Sequence, residues 1–137
     1  MKKIVVLIMA LSIIIIYPVF SAQNANDLAA IEKAKLNNIE WTVDMRPASG
    51  KGRAETDIIS FVEGKMMSKN MKDAGFLESE VNVRISEDDV VIWETMQTDT
   101  DGNFVFWRGD IENGRMKGMM AKEDKRGNIT NFSFISK

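Results

Sequence analysis

The chain has no cysteine, no histidine, only two prolines and nine glycines in 137 residues. Without cysteine there is no disulfide framework, no thiolate zinc site, no thiol nucleophile and no Cys-x-x-Cys redox pair. Without histidine there is no Ser-His-Asp triad, no imidazole metal cage and no proton shuttle titrating near neutrality. An excess of one charge is missing too, since 18 basic residues face 20 acidic ones. A nucleic-acid binder carries a basic stripe. The densest basic cluster here, Lys122 to Arg126, reads Lys-Glu-Asp-Lys-Arg and holds acids inside it. That is the mixed charge of a solvated turn, and nucleic acid is not an expected partner. Long apolar runs are also scarce: there is one, at the N-terminus.

That run has the layout of an export signal. Met1-Lys2-Lys3 is a short positive start, Ile4 to Ile16 is apolar except for Ser12, and Tyr17-Pro18-Val19-Phe20-Ser21-Ala22 ends in small residues. Cleavage after Ser21 leaves Val19 at the third position back, and cleavage after Ala22 leaves Phe20 there. The competing reading is an uncleaved anchor, for which Ile4–Ile16 is short against the ~20 residues of a full span. The expected organisation is a signal peptide over 1–22, a helix over 23–38 and one β-domain over 39–137. The product is then exported, periplasmic or secreted, with no membrane span after cleavage. Losing Lys2 and Lys3 takes the formal net charge from −2 to −4.

Residues 23–38 read QNANDLAAIEKAKLNN. Asn26 suits an N-cap, Asp27 suits the positive end of the helix dipole, and Leu28, Ile31 and Lys35 share one stripe. The stripe is thin, so this helix is expected to lie on a larger body or cover an open end of it. From Ile39 the period becomes two. Trp41, Val43 and Met45 alternate with Thr42, Asp44 and Arg46, the pattern of a half-buried strand. Pro47 to Ala54 is loop. Further strands are expected at Thr56–Val62, Lys65–Met71, within Phe76–Glu87, at Val90–Thr98, from Phe104, at Arg115–Ala121 and at Ile129–Ile135. Glu63-Gly64 and Asn113-Gly114 mark tight hairpins, because Asn and Gly tolerate the positive φ of a type I′ turn.

Eight strands with hairpin-length connections leave no room for parallel crossovers. The expected fold is all-β: an antiparallel up-and-down meander of about eight strands, closed or nearly closed into a barrel, with one short N-terminal helix. Closure removes exposed edges. A two-sheet sandwich is the competing architecture. On Trp41 with a helix before it, the hairpin meander and the Phe132–Phe134 closing strand, residues 39–137 resemble the calycin group, the lipocalins and their small secreted relatives. Ile39 stands where that family's first-strand motif has glycine. The chain also resembles small exported bacterial proteins of unknown function through Trp93-Glu94-Thr95, Trp107-Arg108-Gly109 and Gly118; that resemblance implies fold and export, and no activity.

The aromatic side chains are either an ordinary core or the lining of an apolar cavity. The leading expectation is non-enzymatic binding of a small apolar or amphipathic ligand inside the barrel, lined by Trp93, Phe104, Phe106 and Trp107, with Met96 and Met120 as adaptable filler. Trp41 is expected to plug the barrel floor. A second expectation is a structural or interaction module with a filled core and no ligand. A third is a hydrolase built on two of the carboxylates Asp44, Asp57, Glu94 and Asp110. No catalytic residue, cofactor or metal ligand is assigned. Met116 and Met119 would point to opposite faces of a strand, so their spacing does not converge on copper. Asp99-Thr-Asp101-Gly102-Asn103 lacks the glycine and glutamate positions of a calcium loop and reads as a hairpin turn. Oligomeric state is left open.

Overall fold

The computed structural model describes residues 36–137. The export segment and residues 23–35 of the expected helix lie outside them; Leu36 is buried, and Asn37-Asn38 turn into the first strand. The strands are β1 (Ile39–Pro47), β2 (Glu55–Val62), β3 (Lys65–Ser68), β4 (Ser79–Glu80), β5 (Asn82–Ile85), β6 (Val91–Thr98), β7 (Phe104–Glu112), β8 (Arg115–Glu123) and β9 (Ile129–Ser136). A single short helix, α1 (Lys69–Asp73), follows β3 among the described residues.

All pairings are antiparallel, in the order β4-β3-β2-β1-β9-β8-β7-β6-β5. The first and last strands pair along Val43↔Ser136 to Pro47↔Phe132. The two ends of this order, β4 and β5, are successive pieces of one ribbon that breaks at Val81. Its first piece pairs with β3 and its second with β6, so the sheet curls into a nearly closed barrel of about eight ribbons. Asn113 and Gly114 take φ of 50° and 73°, and Glu63 and Gly64 take 51° and 77°, the left-handed pair a type I′ hairpin requires.

At the break in the ribbon, side-chain bonds supplement the main-chain pairing. Thr95 Oγ1 donates to Glu80 O at 2.6 Å and lies 2.6 Å from Ser79 Oγ. Gln97 Nε2 donates to Leu77 O at 3.0 Å. Both side chains are buried on the inward row of β6, which reads Val91, Trp93, Thr95, Gln97. Their polarity is thereby explained: they hold β6 to a segment outside the regular ladder, alongside the backbone bond from Leu77 N to Thr98 O at 3.0 Å.

The return strand expected to reach Met71 stops at Ser68. Ser68 Oγ accepts from Met71 N at 3.1 Å and caps α1. It donates in turn to the buried carboxylate of Asp57, which accepts from Asn70 N at 3.0 Å. Two first-turn N–H groups of the helix thus find partners. The capping acid lies eleven residues upstream, so the local pattern at Lys65–Met71 does not contain it.

The middle of the barrel is filled by aromatic rings. Phe61 meets Trp93 edge-on with centroids 5.2 Å apart, and Phe134 lies 6.1 Å from Trp93 and 5.7 Å from Trp107. Room for them comes from Gly109 and Gly118, which face each other across β7 and β8. A Cβ on Gly109 would strike the Trp93 ring, and one on Gly118 would strike Phe134 and the carbonyl oxygen of Arg108. Trp41 packs half-buried against this core near the end where Leu36 is buried.

Candidate functional site

The inward rows of β1, β8 and β9 run past the aromatic layer towards the opposite end of the barrel. There β1 presents Met45 and Pro47, β8 presents Met120 and Lys122, and β9 presents Phe132. The registers Met120↔Phe132 and Pro47↔Phe132 bring these three strands together. Helix α1, tied down by Asp57 and Ser68, stands at the same end and contributes Met71 and Asn70. The result is a cleft of about 350 Å³ at the barrel mouth. Three thioethers and the Phe132 ring line its inner part, and Arg53, Glu55 and Lys122 border it.

The charged groups at this mouth differ in how they are held. Lys122 is half-buried, with Nζ 5.5 Å from the centroid of the Phe76 ring, whose face attracts a cation. Arg53 is exposed on the β1–β2 loop. Among the described residues the ion pairs involve Lys65, Lys69, Arg108, Lys125 and Lys137, so neither Arg53 nor Lys122 has a carboxylate within 4.0 Å. Asp57 is the buried acid nearest in sequence, and its oxygens are occupied by Ser68 Oγ, Asn70 N and Ile58 N.

Two loops of one design fringe the same end. Asp99 accepts at one oxygen from the N–H groups of Asp101 and Asn103 and at the other from the Asn103 amide. Asp124 does the same with Arg126 and Asn128. Gly102 and Gly127 supply φ of 83° and 79°. The side-chain bond from Asn103 chiefly holds the Asp99 carboxyl below the usual carboxylate range; that from Asn128 does so for Asp124, and backbone N–H donors add to both. The repeated Asp-x-x-Gly-Asn spacing was visible in the sequence.

Of the six residues expected to line a ligand site, Met120 borders the cleft. Trp93 and Trp107 are fully buried in the packed aromatic layer, and the Trp107 indole donates to Gln97 Oε1 at 2.9 Å. Phe104 and Phe106 lie on the outward face of β7, because alternation sends Val105 and Trp107 inward. Met96 is likewise outward on β6, 55% exposed, directly opposite Phe106. The four carboxylates are not assembled either. Asp44 and Glu94 pair with Lys137 and Arg108 on the outside, Asp110 shares that outward face, and Asp57 is inside. Residues that pattern reading missed, Arg53, Met71 and Lys122, come from a loop, a helix and a strand far apart in sequence.

The outer wall has a second feature. Met96, Phe106, Met119 and Ile135 are exposed and step diagonally across β6 to β9. A groove of about 470 Å³ beside Met119 and Ile135 is bordered by Arg108, Asp110 and Lys117. Among the described residues no helix is long and apolar enough to cross a membrane. Compared with protein-family models, curated proteins and solved structures, the chain matches none of them.

Proposed function

We propose that the protein is an exported, non-enzymatic binder that takes a small apolar or amphipathic ligand into the mouth of a calycin-like barrel. One observation carries the reading: the 350 Å³ cleft floored by Met45, Met120 and Phe132 and walled by Met71. Ligand sites are concave, mostly apolar, and begin at about 300 Å³. Methionine floors adapt to ligands of different shape, because the thioether chain is unbranched and polarisable. The aromatic layer beneath limits the ligand to the mouth. The test is native mass spectrometry of the protein purified from its source. An added mass that Met71→Arg abolishes supports the reading. A bare chain mass, with no binding across a panel of lipids, overturns it.

The diagonal apolar stripe favours a second reading, an interaction module that works through its wall. Under it, Met119→Asp abolishes association, while substitutions at the mouth leave association intact.

A further inference from the structure

We propose that the ligand of the mouth cleft is a monoanionic amphiphile, its tail on the methionine floor and its anionic group between Arg53 and Lys122; this rests on the binding reading above. The cleft joins two chemistries that a plain apolar pocket would not need together. Its inner surface is thioether and phenyl, while its border carries two cations against the single acid Glu55. Lys122 ends an otherwise apolar inward row, following Met116, Gly118 and Met120 on β8. A lysine that only solubilised the barrel would stand on the outward row, as Lys117 does. Here it is half-buried against Phe76, and no carboxylate among the described residues neutralises it. Asp57, the nearby buried acid, is already committed to the α1 cap. An incoming anion therefore meets donors that need not first break an ion pair, and a charge-assisted bond to a partly desolvated ammonium exceeds a neutral one.

The experiment compares decanoate, 1-decanol and decyltrimethylammonium by titration calorimetry on the wild-type chain, each below its micelle concentration. The same tail then carries a negative, a neutral and a positive group. Decanoate is expected to bind about tenfold more tightly than decanol, a difference of ~1.4 kcal/mol, with the ammonium weakest. The preference should shrink as salt rises. It should collapse in the double variant Arg53→Gln/Lys122→Gln, which keeps long stems at both positions, while decanol affinity stays put. Equal binding of decanoate and decanol overturns the anionic assignment and leaves the cleft reading standing. A preference that survives in the double variant also overturns it. If none of the three binds to chain that melts cooperatively, the cleft reading falls as well.

Discussion

Replacing Gln97 by methionine tests whether the barrel depends on buried polar bonds at its break. The substitution keeps length and approximate volume, so cavity effects are small. Gln97 is fully buried; its Oε1 accepts from Trp107 Nε1 at 2.9 Å, and its Nε2 donates to Leu77 O at 3.0 Å and lies 3.6 Å from Met67 Sδ. Methionine leaves two groups without partners, and they are not equivalent. The Leu77 carbonyl belongs to an exposed loop residue and accepts in a part-buried bond, so losing that neutral bond costs about 1 kcal/mol at most. Trp107 is fully buried, and an orphaned indole N–H there costs about 1–3 kcal/mol. We expect a loss of about 2 kcal/mol, which lowers the urea midpoint by roughly 1 M at an m-value near 2 kcal/mol/M. Trp107→Phe removes the orphan donor but loses packing of its own. In the double variant the two losses should therefore sum to less than their separate values, with about 1 kcal/mol of coupling. A midpoint within about 0.2 M of wild type for Gln97→Met, or additivity to within about 0.3 kcal/mol, would refute the reasoning.

Gly118→Ala places a methyl group against the Arg108 carbonyl oxygen and the Phe134 ring. Backbone cannot step aside as a flexible side chain can, so a loss of about 2–3 kcal/mol is expected, read as a fall in thermal midpoint. The loop carboxylates predict acid sensitivity. Asp99 and Asp124 have folded-state values below the ordinary 3.8, so their contribution is fully present above that value and is lost as pH falls through the folded-state values. The urea midpoint should drop below about pH 4, and Asp99→Asn/Asp124→Asn should flatten that drop; parallel pH profiles would remove these loops from the explanation.

The strands were legible because one face of each is buried. Alternation at Trp41–Met45 and Val81–Ile85 placed side chains on the correct faces without any tertiary information. The same rule, applied strictly, also corrects the expected site. With Trp93 and Trp107 inward, Met96, Phe104 and Phe106 must face outward, so the six residues cannot share a cavity. Aromatic content suggested a lining, yet glycines within β7 and β8 signal close approach: Gly109 and Gly118 make the space the rings then fill. The mouth cleft left no local pattern. Its residues meet only because Asp57 anchors a helix cap eleven residues downstream, at Ser68, and because β1 closes on β9.

The buried polar residues show how a short chain closes a barrel without a regular seam. Asp57, Ser68, Thr95, Gln97 and Ser136 are the buried polar side chains among the described residues. Each ends on a main-chain group: Asn70 N, Met71 N, Glu80 O, Leu77 O and Met116 N respectively. Those five groups lie at the α1 cap, at the broken ribbon with the segment leading into it, and where β8 starts beyond its register with β9. Inward polarity in this protein thus marks where strand pairing runs out. An inward residue without such a backbone target then needs another account. At the mouth Lys122 is such a residue: it closes the inward row of β8, and its ammonium lies over the Phe76 ring. Such a cation fits the proposed binding of an anionic amphiphile, which would give it the role that no strand seam does.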